Sequence, residues 1–105
     1  MSYQVELSRQ AETDIRKIYT YIREHGPADP NAWKKGLASK LAHLEQFPEA
    51  CSLAPENDFT PQEIRQTFYG PFRILFTIRE QFVFVATVRH AARLELKPDE
   101  LDKLL

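Results

Sequence analysis

A chain of 105 residues, 43% hydrophobic and 28% charged, has room for one core and one domain, expected to span 1–105. No apolar run approaches the roughly 20 residues needed to cross a bilayer, and the opening Met1-Ser2-Tyr3-Gln4-Val5-Glu6 lacks the basic start and apolar stretch of a signal peptide, so a cytoplasmic protein away from the membrane is expected. The single Cys51 cannot form an internal disulfide and reads as a small hydrophobe beside Ala50 and Leu53.

In chain order, Tyr3, Val5 and Leu7 alternate with polar residues and predict a short half-buried strand over 2–7. Ser8 is placed to cap a helix whose stripe is Ala11, Ile15, Ile18 and Ile22, and Gly26-Pro27 stops it. Asp29-Pro30 starts a second helix, with Asp as N-cap and Pro at the first helical position. Its stripe is Trp33, Leu37, Leu41 and Leu44, closed by Phe47-Pro48. Residues 49–62 read as a loop. Strands follow over 64–69, 72–79 and 82–89, separated by Gly70-Pro71 and Glu80-Gln81. The last strand is apolar almost throughout, as a strand covered on both sides would be. After Pro98-Asp99, Leu101, Leu104 and Leu105 predict a short C-terminal helix.

The order β-α-α-β-β-β predicts an α+β fold, an N-terminal strand and an αα-hairpin packed on one face of a mostly antiparallel twisted sheet. Phe72, Ile74, Phe76 and Ile78 form the face toward the helices; Arg73, Leu75, Thr77 and Arg79 form the other, which is left wholly or in part for function. Charge is uneven behind a net value of −1: residues 64–94 carry five arginines (Arg65, Arg73, Arg79, Arg89, Arg93) against the one acid Glu80, while 95–105 carry four acids and two lysines. Arginine without lysine favours planar, bidentate contact with phosphate or carboxylate over a diffuse field. The plainer readings are soluble strand edges, and for Arg73 an ion pair with Glu63 or Glu56. His25, His43 and His90 have no ligand spacing, and Gly26, Gly36 and Gly70 form no phosphate-cradling loop, so neither a metal nor another cofactor is expected.

Four fragments carry a resemblance: Ala11-x-x-Asp14-Ile15-x-x-Ile18-x-x-Tyr21-Ile22; Leu44-x-x-Phe47-Pro48; Arg65 followed by Gly70-x-Phe72-Arg73-Ile74-Leu75-Phe76; and Val88-x-His90-x-x-Arg93. In that order, in a chain of this length, they resemble toxins of the RelE/ParE family, and the long second helix and the Tyr19–Tyr21 helix end are similar to the ParE side. The resemblance implies the toxin of a type II toxin–antitoxin pair, associated with plasmid stabilization and growth arrest. Its partner would be a cognate antitoxin that wraps it, with operator DNA met only through the antitoxin complex. One branch of the family cleaves mRNA on the ribosome and the other poisons DNA gyrase.

A metal-free ribonuclease needs a base, an acid and cations on the phosphate. Arg65 and Arg73 could hold the phosphate, His90 could be the acid, and Glu49 or Glu56 the base. Against this, the ribonuclease branch has a tyrosine directly after the histidine where this chain has Ala91, and its active members are strongly basic where this chain has a pI near 6.3. A gyrase-binding toxin needs no catalytic set, only a surface. The expectation is therefore a ParE-like toxin directed at gyrase, without enzymatic activity. Arg65, Arg73, Leu75, Arg79, Arg89 and Arg93 are the expected target- and antitoxin-binding residues, the antitoxin burying apolar surface around Leu75. The alternatives are a ribosome-dependent mRNA endonuclease and a degenerate, inactive toxin.

Overall fold

The computed structural model describes residues 2–93 and 95–105; Met1 and Leu94 lie outside the described residues. Strand β1 (Gln4–Leu7) packs Val5 and Leu7 against the core, with Tyr3 just before it. Ser8 ends the strand and caps α1 (Arg9–His25), its hydroxyl oxygen accepting from the Ala11 N–H at 2.9 Å. Asp29 caps α2 (Pro30–Leu44) by accepting from the Asn31 N–H at 2.9 Å, with Pro30 in the first turn where no N–H is needed. Where the sequence predicts a loop over 49–62 there are two 3₁₀ turns, Pro48–Ala50 at its start and Pro55–Phe59 within it, each opened by a proline whose φ is preset for such a turn. Then come β2 (Arg65–Tyr69), β3 (Phe72–Arg79), β4 (Phe82–His90) and α3 (Pro98–Leu104).

The sheet order is β1-β4-β3-β2. β1 runs parallel to β4; the other two pairs are antiparallel, so the sheet is mixed but mostly antiparallel, in the α+β architecture expected. Gly70 takes φ 56° in the β2–β3 connection, a left-handed conformation open to glycine without penalty. Glu80 takes φ 54° between β3 and β4, where a side chain adds strain.

One irregularity matters for the site. Phe76 pairs with Val85 but Leu75 pairs with Thr87, so Ala86 is an extra residue in β4. This bulge shifts the alternation, so that Val83, Val85 and then Val88 all enter the core with Ile74 and Phe76 under Ala11, Leu37 and Leu44. Thr87 and Arg89 are thereby turned to the opposite face, beside Leu75 and Arg73.

That opposite face is not open throughout. Leu75 is fully buried, packed with Ala54, Ile64, Leu96 and Leu101, with Leu104 and Leu105 against them. The expectation that an antitoxin covers Leu75 therefore needs correcting: the chain's own C-terminal segment already does so. The reason lies in the tail. Its leucines need burial, and Leu75 and Ile64 offer apolar surface on the face that α1 and α2 leave uncovered. Among the described residues, no helix is long and apolar enough to cross a membrane.

Candidate functional site

Arg73 sits in β3 on the face away from α1 and α2, directly opposite Arg89 of β4 and Phe68 of β2. Like charges facing each other across adjacent strands repel. Both arginines are also buried, at 6% and 8% exposure. Glu56, fully buried, compensates the first: Arg73 Nη1 and Nη2 donate to its Oε1 and Oε2, both at 2.7 Å. Nη1 also donates to Gln66 Oε1 at 3.1 Å, and the Leu96 N–H donates to Glu56 Oε2 at 3.1 Å. One carboxylate thus ties the 55–59 turn, β3 and the C-terminal segment together.

Burial by itself would push the Glu56 carboxyl up. The hydrogen bonds from Arg73, from the Leu96 N–H and from its own backbone N–H, with the Arg73 charge, reverse this and hold it below the usual carboxylate range. Arg89 is held below its ordinary value first by burial and then by the charges of Arg93 and Arg73, with Glu100 and Glu56 acting the other way. An arginine keeps its proton in such a place.

Beside this node lies an open cleft of about 420 Å³, walled by Gln66, Phe68, Arg73, Arg93 and Glu95. Phe68 is 49% exposed, a large apolar side chain left to water on a strand next to arginine. Arg79 lies farther along the same face, donating to Gln62 Oε1 at 3.1 Å and to the Leu105 carbonyl at 2.9 Å, over the ring of Phe84.

The residues expected of a ribonuclease are not brought together. Arg65 pairs with Phe76, so it lies on the helix side of the sheet, where Nη1 donates to the Cys51 carbonyl at 2.6 Å. It also meets Glu63 at 3.5 Å. His90 pairs with Phe72, likewise on the helix side, edge-on to its ring at 5.7 Å, and its Nδ1 accepts from the Ala92 N–H at 3.0 Å. Their partners Phe72 and Phe76 lie four steps apart along β3, about 13 Å of strand, and Arg73 is on the other face. Of the possible bases, Glu56 is consumed by Arg73, and Glu49 accepts from the Tyr3 hydroxyl at 2.7 Å. That bond, with slight burial and the Glu49 charge, raises the Tyr3 phenol above its ordinary value.

Arg73, Leu75, Arg79 and Arg89 do share one face, with Arg93 at its rim; Arg65 does not join them. Phe68, Gln66 and Glu95 were not legible as site residues. In Arg65-Gln66-Thr67-Phe68-Tyr69 both alternating sets mix polar and aromatic residues, so parity gives no contrast between faces.

Set against known proteins, the chain matches the family model described as the ParE toxin of the type II toxin–antitoxin system, parDE, over residues 5–95. No curated protein is a sequence match. Among solved structures it is similar to one titled chromosomal ParDE toxin–antitoxin system from P. aeruginosa, with TM-score 0.67 and 17% identity over 85% of this chain and 96% of that one. It is similar to a double arginine-to-alanine mutant of the E. coli toxin RelE in the free state, with TM-score 0.61 and 21% identity over 100% of both chains. The archaeal RelE–RelB complex from Pyrococcus horikoshii gives TM-score 0.59 and 14% identity over 90% of this chain and 100% of that one. At these identities the structures speak for the fold, and the family match spans most of the sequence: the chain belongs to the ParE family of type II toxin–antitoxin toxins.

Proposed function

We propose that this chain is held silent by a cognate antitoxin and, when free, acts by binding DNA gyrase, with no bond-breaking chemistry of its own. The observation that supports this most is the dispersal of the ribonuclease set. Arg73 is bound on both terminal nitrogens to a buried carboxylate, and Arg65 and His90 lie on the other side of the sheet. A guanidinium already committed to Glu56 is poorly placed to take up charge developing on a phosphate. A binding toxin needs only a surface, and Phe68, Gln66 and Arg93 supply an apolar centre with polar and cationic neighbours. Two of the similar structures are titled as a ParDE system and a RelE–RelB complex, which supports an antitoxin partner here.

The second reading, ribosome-dependent mRNA cleavage, draws on the open cleft beside Arg73 and Arg93. Brief expression in bacteria separates the two. A gyrase poison gives DNA breaks and SOS induction before any change in mRNA. Early cleavage of ribosome-bound mRNA without DNA breaks would overturn the proposal.

A further inference from the structure

Across Arg93 from the open cleft lies a second, smaller cavity of about 240 Å³, walled by α1, β4 and α3. It forms because β1 ends at Leu7, opposite Val85, so that among the described residues no strand pairs with the end of β4 on that side. α1 takes over this edge. The Ser8 hydroxyl donates to the Ala86 carbonyl at 2.6 Å, and Asp14 Oδ2 accepts from the Thr87 hydroxyl and, at 3.1 Å, from the Val88 N–H. The C-terminal segment closes the other side with Leu96 and Leu104.

Three cations face this space, Arg89, Arg93 and Lys103, against two carboxylates, Asp14 and Glu100. Both carboxylates are already engaged. Asp14 serves the β4 edge with Oδ2 and accepts from Gln10 Nε2 at 2.8 Å with Oδ1. Glu100 accepts from the Lys97 N–H at 3.2 Å and so caps α3. Arg93 and Lys103 are exposed and form no ion pair among the described residues. Arg89 also lines the cavity, largely buried, with Arg93 and Arg73 among the charges that act on it and Glu100 and Glu56 acting the other way.

We propose that this cavity receives a single carboxylate side chain of the antitoxin, seated between Arg93 and Lys103 in front of Arg89. The proposal rests on reading the chain as an antitoxin-bound toxin. Arginine presents a planar fork that matches one carboxylate, and Leu96 and Leu104 offer apolar contact for its methylene stem. The volume falls below the roughly 300–1,000 Å³ of pockets that hold small-molecule ligands. A nucleic-acid phosphate fits less well. Polyanion binding draws on many cations and a broad positive field. Here the protein has a net charge of −1, and the tail beside the cavity carries Glu95, Asp99, Glu100 and Asp102.

The test titrates the full chain with N-acetylglutamate N-methylamide and follows backbone amide shifts, with the glutamine analogue and inorganic phosphate alongside. The carboxylate should saturate in the millimolar range and move Asp14, Thr87, Leu96 and Lys103, while the glutamine analogue should not. Lys103→Gln, which lies away from the open cleft, should weaken binding several-fold, and Lys103→Gln with Arg93→Gln at least tenfold. Both side chains are exposed, so the fold should survive, as circular dichroism would confirm. No saturation, equal binding by the double variant, or a preference for phosphate would overturn the carboxylate assignment. A toxin of such a pair is expected to have a short open reading frame beside its own; the product of that frame, as the antitoxin, should then bind the double variant at least tenfold more weakly than the wild type, and equal binding would overturn the assignment to this partner. If the wild type binds the glutamate probe but not that protein, the antitoxin reading fails and the cavity remains an anion site.

Discussion

The pairing of Arg73 with Glu56 is the residue-scale feature on which most else depends. Two buried charges hold each other in place, and removing one strands the other. Glu56→Ala should destabilise the protein by about 3–5 kcal/mol, as urea denaturation would measure. Replacing both by apolar residues, Glu56→Leu with Arg73→Met, should cost clearly less than the single change. The pair also sets an acid limit. Because the folded protein holds the Glu56 carboxyl below its ordinary value, the pair contributes stability that is present above the usual carboxylate range and lost as pH falls through the lowered folded value. The acid limb of the stability–pH curve should flatten in Glu56→Gln; an unchanged limb would mean that other carboxylates set it. His90 tests function at the same scale. It packs on Phe72 and binds the Ala92 N–H, away from Arg73. His90→Gln should therefore remain toxic, whereas loss of a general acid would reduce activity about 10²–10⁴-fold. Loss of toxicity in a folded, gyrase-independent variant would move the protein to the ribonuclease reading.

At the scale of elements, two devices position the site. The first is the bulge at Ala86, which turns Thr87 and Arg89 to the arginine face and lets Val88 return to the core. Asp14 and Ser8 of the α1 start satisfy the strand edge exposed there. The second is the close approach of α2 to the end of β2. The Tyr69 hydroxyl donates to the Trp33 carbonyl at 2.9 Å by passing over Gly36, where a Cβ would stand 2.0 Å from the phenol oxygen. Gly36→Ala gains helix propensity of roughly 1 kcal/mol but must expel Tyr69 and break that bond. The expected outcome is a net loss of about 1–3 kcal/mol, read from the thermal or urea midpoint. The double variant Gly36→Ala with Tyr69→Phe should not lose the hydrogen bond a second time, and so should fall short of additivity.

At the scale of the whole molecule, the sheet is covered on one face by α1 and α2 and on part of the other by the C-terminal segment, leaving the strip around Phe68 and Arg93 open. Leu101 is the centre of that second covering and is fully buried. Leu101→Ala should cost about 2–5 kcal/mol and loosen the segment that also donates Leu96 N–H to Glu56; a change below about 0.5 kcal/mol would mean that the segment is only loosely docked. The element order, both helix starts and the β3 and β4 strands were legible in the sequence, because caps, prolines and periodicity act within a few residues and need no distant partner. So was the division of β3 into an apolar and an arginine-bearing face, since alternation is a property of the strand itself. The partner of Arg73 was narrowed to Glu63 or Glu56 and no further, because 17 residues of turn and strand decide which carboxylate arrives. The parallel docking of β1 beside β4, the covering of Leu75 by the tail, and the separation of Arg65 and His90 from Arg73 came only from the tertiary structure. Each depends on which surfaces meet, and apolar burial, which drives that choice, is non-directional and leaves no local mark in the chain.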